Sequence, residues 1–120
     1  MAKPITIDIA GQPYEIVVSN AQEHPVLDKA YGVCNSSNHT IVIIDDLPPA
    51  KFQNTLTHEI LHALINESGG TYATAAALGV DDEDPRLQAW EEMFVRVMTP
   101  HVVAAFGPPV LKQGGRIRRG

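Results

Sequence analysis

Apolar and polar residues alternate near the start of the chain, in Ile5-Thr6-Ile7-Asp8-Ile9, and Gly11-Gln12-Pro13 separates this stretch from Tyr14-Glu15-Ile16-Val17-Val18. A period of two marks a strand with one face buried, and the break has turn composition, so the two runs predict a pair of joined strands. From Ser19 to Gly32 the pattern is mixed, with Leu27, Ala30 and Tyr31 spaced as on one face of a short helix. Turn-prone Asn35-Ser36-Ser37-Asn38 then leads into Thr40-Ile41-Val42-Ile43-Ile44. That run is β-branched throughout and predicts a third, well-buried strand.

Helical signals take over after Ile44. Asp45-Asp46-Leu47-Pro48-Pro49 supplies acidic groups and proline at a helix start, and the apolar-periodic stretch from Ala50 to about Asn66 predicts a helix stopped by Gly69-Gly70. Thr71 to Gly79 is alanine-rich without a clear period and reads as a short helix or a loop. Asp81-Asp82-Glu83-Asp84-Pro85 favours a second long helix through the macrodipole, running from Pro85 or Arg86 to about Met98. Thr99-Pro100 reads as its interruption, with His101 to Phe106 as a separate helical turn. The expected architecture is α+β, with a short, mostly antiparallel N-terminal sheet of about three strands packed on the two helices. Residues 1–111 form the single domain of this reading, and the glycine- and arginine-rich residues 112–120 form a tail with little to bury.

At 120 residues and 44% hydrophobic content, the chain suffices for one compact core. Cys34 is the single cysteine, which excludes an intramolecular disulfide framework and any metal site built from several thiolates. Its place just ahead of a strand suits a small buried residue. Metal ligands must therefore come from His, Asp and Glu. Net charge is −5, although Lys112, Arg116, Arg118 and Arg119 crowd the last nine residues. The body is thus acidic and ill-suited to nucleic acid, leaving the tail as the segment that could dock on nucleic acid or on an acidic partner. No basic leader and no run of about 18 apolar residues is present, so the expectation is a cytoplasmic protein with no membrane contact.

The chemistry concentrates in His58-Glu59-Ile60-Leu61-His62. On a helix, positions i and i+4 lie only about 40° apart, so His58 and His62 project from one face within reach of a single zinc ion. Glu59, one residue on from the first histidine, is placed beside the metal as a general base rather than as a ligand. Leu56, Ile60, Leu61, Leu64 and Ile65 make the rest of this helix apolar, which sets the polar groups at the edge of a core where a metal would offset their burial.

A catalytic zinc commonly has three protein ligands and one open position. Glu91 and Glu92 on the second helix are the candidates for the third. Taking Leu87, Trp90, Phe94, Val97 and Met98 as the buried stripe, Glu91 falls inside it and becomes the expected ligand; Glu92 points about 100° further round, toward an ion pair with Arg96 one turn on. Glu92 remains the alternative. His101 and Tyr72 are further candidates for an electrophilic role or an additional ligand, and His24, His39 and Tyr31 for the electrophilic role. The acidic run Asp81 to Asp84 reads mainly as helix-start chemistry.

With His58-Glu59-Ile60-Leu61-His62-Ala63-Leu64 followed by Trp90-Glu91-Glu92-Met93-Phe94, the chain resembles the minimal gluzincins. These are very small zincin-like metallopeptidases of phages and mobile elements, related to the ImmA/IrrE-like peptidases. Tyr31-Gly32-Val33-Cys34, the strand before the motif helix, and Pro100 after the glutamates extend the resemblance over residues 31–106. It implies that His58 and His62 bind one zinc ion, that Glu59 is the general base and that Glu91 is the downstream ligand. It further implies that Thr40, Ile41, Val42, Ile43 and Ile44 form the edge strand along which an extended polypeptide substrate pairs. The spacing from the glutamates to Pro100 is shorter than in the ImmA/IrrE-like branch, which keeps Glu92 open as the ligand.

The expected function is hydrolysis of peptide bonds by zinc-activated water, with Glu59 as general base. The competing expectation is a latent or non-catalytic domain that zinc stabilises and that binds or regulates a protein partner. The fourth coordination position separates the two: open for an enzyme, filled by a side chain for a structural or latent site.

Overall fold

The computed structural model describes residues 5–107; the arginine-rich tail and the end of the expected domain lie outside them. Strands β1 (Ile5–Ile9), β2 (Gln12–Ser19), β3 (Gly32–Asn35) and β4 (Thr40–Ile44) form one sheet in the order β1-β2-β4-β3. Helices α1 (Pro49–Glu67), α2 (Gly70–Leu78) and α3 (Pro85–Phe106) follow, and a single 3-10 turn, Pro25–Asp28, precedes β3. The class is α+β, as expected.

The sheet is close to the expected one in make-up and differs in the placing of one strand. It has four described strands where about three were expected, the short Gly32–Asn35 being the addition, and it is mostly antiparallel, since β1–β2 and β3–β4 are antiparallel while β2 and β4 run parallel. Most consequentially, Thr40–Ile44 is not an edge. It sits between β2 and β3, hydrogen-bonded on both sides, and Ile41, Val42 and Ile43, which point to opposite faces in turn, are all buried. Full burial on both faces produces a continuous apolar run rather than an alternating one. The free edge on this side belongs to Gly32–Asn35.

The core lies between one face of this sheet and α1. Ile5, Ile9, Tyr14, Ile16, Ile41 and Ile43 meet Leu56 and Ala63 of α1 there. Burying each large side chain contributes roughly 1.5–3 kcal/mol, enough to fix the helix against the sheet. Tyr14 is fully buried and its hydroxyl donates to Glu67 Oε2 at 2.6 Å, tying the last turn of α1 to β2. Helix α1 starts with Pro49 in its first turn and ends where Gly69 takes φ +76°, a left-handed conformation that costs glycine little. The ambiguous segment after it is the helix α2.

Helix α3 begins as expected, with the Asp84 carboxylate accepting from Arg86 N at 2.9 Å and Pro85 in the first turn. It does not stop at Thr99-Pro100. One continuous helix runs to Phe106. Pro100 removes one backbone donor, but both Pro100 and Arg96, whose carbonyl loses that donor, are on the exposed side where water can replace it. Its buried residues are Leu87, Val95 and Thr99, whereas Trp90, Met93, Phe94 and Val97 are exposed, with Trp90 and Phe94 stacked at 5.3 Å. The buried stripe is therefore rotated by roughly 100° from the one taken from the sequence. No helix among the described residues is long and apolar enough to cross a membrane.

Candidate metal centre

Helices α1 and α3 pack against each other, and β3 approaches α1 from the sheet. The apolar face of α1 fixes its rotation against the sheet, which leaves His58 and His62 half-buried toward α3. Their rings lie 4.9 Å apart, edge to face. From α3, Glu92 reaches between them: Oε2 is 3.0 Å from His58 Nε2 and Oε1 is 3.0 Å from His62 Nε2. One donor atom from each of His58, His62 and Glu92 falls within 4.8 Å of the others, a group able to hold a metal ion.

Glu91 has a different place from the one expected. Sitting near the middle of the buried stripe, it reaches behind His62, with Oε2 2.7 Å from Nδ1, while its Oε1 accepts from Thr71 Oγ1 at 3.2 Å. Glu92, at the margin of that stripe, faces the centre itself. The expected third ligand was Glu91; the group that comes together contains Glu92 instead. The ion pair expected for Glu92 is also present, with Arg96 Nη2 3.3 Å from Oε2.

The proton count at His62 tests whether this group suits a metal. A neutral imidazole has one N–H, and an ionised carboxylate can only accept. With the proton on Nδ1 toward Glu91, the His62 Nε2 lone pair and Glu92 Oε1 face one another at 3.0 Å. That arrangement is favourable only with a cation between them, either a second proton or a metal ion. A carboxylate behind a metal-binding histidine is the usual means of fixing its tautomer and orientation. The donor set fits.

The electrostatics agree. Burial pushes His58 below its ordinary value, Glu92 opposes this, and His62 and Arg96 add to it, so His58 is disposed to be a neutral, lone-pair donor. For Glu92, burial acts upward, but His58, His62 and Arg96 together hold it below the usual carboxylate range. Glu59 is only 7% exposed, and burial pushes its carboxyl up to about 7, with Glu92 adding to the rise and His62 opposing it. Cys34 is half-buried, and burial, then the carboxylates Glu59, Glu91 and Glu67, push its thiol up to about 12. It is a packed thiol and not a reactive one.

Two cavities meet at this point. One, of about 540 Å³, opens on the side of His62 and Glu91 and is bordered by Val33, Cys34 and Tyr72. The other, of about 660 Å³, opens on the side of His58 and Arg96 and is bordered by Tyr31. Gly32, Glu59 and Glu92 line both. The cleft thus follows the free edge of β3, the strand that sequence patterning passed over. Its signal was the small Gly32 beside Val33 and Cys34, too short a run to stand out.

Gly32 has a specific reason to be glycine. A Cβ there would come 2.9 Å from Thr55 Cγ2, 3.2 Å from the Val42 carbonyl oxygen and 3.4 Å from Glu59 Cγ. The backbone of β3 rests almost directly on the turn of α1 that carries Glu59. Gly32→Ala is expected to cost about 1–3 kcal/mol through overpacking, read by thermal denaturation. A loss below about 0.5 kcal/mol would mean that β3 yields freely and does not clamp Glu59.

The remaining candidates are dispersed. His101 is exposed on α3 and borders neither cavity. His24 Nδ1 lies 3.0 Å from Ser19 Oγ, and His39 stands edge-on to Tyr14 with Nε2 3.6 Å from Glu67, both away from the centre. Tyr31 and Tyr72, 53% and 63% exposed, flank the cleft from opposite ends. Of the acidic run, Asp84 caps α3, as expected, and Asp82 to Asp84 border the first cavity. Comparison with protein-family models, with curated proteins and with solved structures gives no match.

Proposed function

We propose that this chain is a zinc-dependent peptidase of the zincin-like, minimal-gluzincin kind, with His58, His62 and Glu92 holding one zinc ion. The carrying observation is the convergence of these three donors on a cleft, with a buried glutamate one residue from the first of them. Among the described residues no fourth His, Cys, Asp or Glu joins the group. An open position of that kind favours an enzyme over a purely structural zinc site.

Zinc would supply a Lewis acid for the scissile carbonyl. The chain's own residues do the rest. Glu91, braced by Thr71, keeps His62 oriented, and Arg96 holds Glu92 in the cleft. Glu59 accepts a proton from the attacking water and passes it to the leaving amine; a carboxyl whose burial has raised it toward neutrality is matched to both halves of that transfer. The unpaired edge of Gly32–Asn35 offers main-chain partners to an extended polypeptide, the role first expected of Thr40–Ile44.

Elemental analysis of the purified protein should find one zinc per chain, and an unstructured polypeptide should be cleaved in a manner abolished by a chelator and restored by zinc. Cleavage indifferent to chelation would sink the proposal. Stoichiometric zinc without cleavage of any polypeptide would favour the latent or structural alternative.

A further inference from the structure

Charge is unevenly shared over the described surface. All fourteen acidic residues fall within residues 5–107, whereas of the nine basic ones only Lys29, Lys51, Arg86 and Arg96 do. Three of these four, Lys29, Lys51 and Arg96, line the single cavity on the His58 side of the centre. The fourth, Arg86, is engaged by Asp84 at 2.7 Å. They arrive from separate elements: Lys29 follows the 3-10 turn, Lys51 stands in the first turn of α1 and Arg96 projects from α3.

Among the described residues neither Lys29 nor Lys51 has a carboxylate within ion-pair distance, although carboxylates outnumber them across the surface. Lys51 instead lies over the Tyr31 ring, 4.8 Å from its centroid, which steadies the ammonium at the cavity wall. Arg96 gives one N–H group of its guanidinium to Glu92, and among the described residues its other N–H groups have no partner. Glu59 and Glu92 are common to both cavities, but the opposite one adds Asp82, Glu83, Asp84 and Glu91 and no Lys or Arg, whereas this one adds the three cations. The cationic excess therefore falls on one side of the cleft and the anionic excess on the other.

We infer that the cavity on the His58 side is a carboxylate-binding subsite, in which Lys29, Lys51 and Arg96 select polypeptides carrying a carboxylate beside the bond held at the centre. The inference rests on the proposed peptidase function for the word beside, but not for the binding itself. An acidic side chain and a free C-terminal carboxylate present the same chemistry, and both fit a cavity of about 660 Å³.

The test uses the full-length, zinc-loaded Glu59→Gln protein, so that peptides bind without turnover, and isothermal titration. One series of hexapeptides moves a single Glu along the sequence against matched Gln peptides; another compares a neutral peptide as free acid and as C-terminal amide. A carboxylate at the favoured place should tighten binding on the order of ten-fold, less at high salt. Preference in the first series identifies a side chain, and preference in the second a chain terminus. The double variant K29Q/K51Q, both side chains being exposed, should remove most of the preference, leaving what Arg96 alone supplies, and leave the affinity for neutral peptides unchanged. Equal binding of charged and neutral partners would overturn the subsite, as would a preference that K29Q/K51Q leaves undiminished. Wild-type cleavage with no carboxylate preference would remove the subsite and keep the peptidase; carboxylate-selective binding without cleavage would do the reverse.

Discussion

Glu92→Ala should weaken zinc binding on the order of 10²- to 10³-fold, while Glu91→Ala should weaken it only about ten-fold. Zinc bound by four groups in a small domain contributes ~10–16 kcal/mol, so one lost ligand of three or four removes ~3 kcal/mol. Carboxylates that orient a histidine from behind cost less when removed, about 10- to 100-fold in affinity at most. The distances assign the two glutamates to these two classes: Glu92 stands 3.0 Å from both His58 Nε2 and His62 Nε2, and Glu91 touches only His62, on the ring nitrogen turned away from the centre. Competition against a chromophoric chelator reads both constants on one scale. If Glu91→Ala proved the more damaging, the third ligand would be Glu91, and Glu92 would be the helix-surface ion pair with Arg96.

These residues also separate what helical spacing decides from what it leaves open. His58, Glu59 and His62 needed only helical spacing, since whichever way α1 rolls, positions i and i+4 stay together. Choosing between Glu91 and Glu92 needed the phase of α3, and α3 carries two apolar stripes. Trp90, Phe94 and Val97 form the more hydrophobic one, yet they are exposed, and the face packed on α1 is Leu87, Val95 and Thr99. Hydrophobic content alone does not say which stripe a neighbour covers. The rotated stripe still includes Glu91, but that place is half-buried and lies behind His62.

The sheet repeats the lesson. Thr40–Ile44 was evident as a strand because it is buried on both faces, a pattern that suits an interior strand, and it is interior rather than an edge. The true edge, Gly32–Asn35, is short and half-buried, so its period of two spans too few residues to register. The sheet's parallel pair, β2 with β4, depends on a return path through the 3-10 turn and β3, which no local pattern encodes. Helix α3 passed through Pro100 because tertiary packing of Val95 and Thr99 on one side outweighs a single missing hydrogen bond on the other. The three cations of the His58-side cavity come from parts of the chain 22 and 45 residues apart, and only the fold brings them to one wall.

Glu59→Gln should retain zinc with unchanged stoichiometry and lose turnover by about 10²- to 10⁴-fold, the range that a positioned general base contributes. The substitution is a clean one on physical grounds. Glu59 is 7% exposed and burial already raises its carboxyl to about 7, so the environment tolerates a neutral group, and glutamine matches its shape. The fold should therefore be no less stable than that of the wild type at neutral pH, which separates a chemical defect from a structural one. Because Glu59 is outside the His58, His62 and Glu92 group, the metal affinity should stay within a few-fold of wild type. What glutamine cannot do is accept a proton from water and return it to the departing amine. Turnover measured at saturating substrate, with zinc content determined on the same sample, decides the matter: residual activity above about a tenth of wild type would assign the proton transfer to another group, and Tyr31 and Tyr72, at the two ends of the cleft, would be the next to replace.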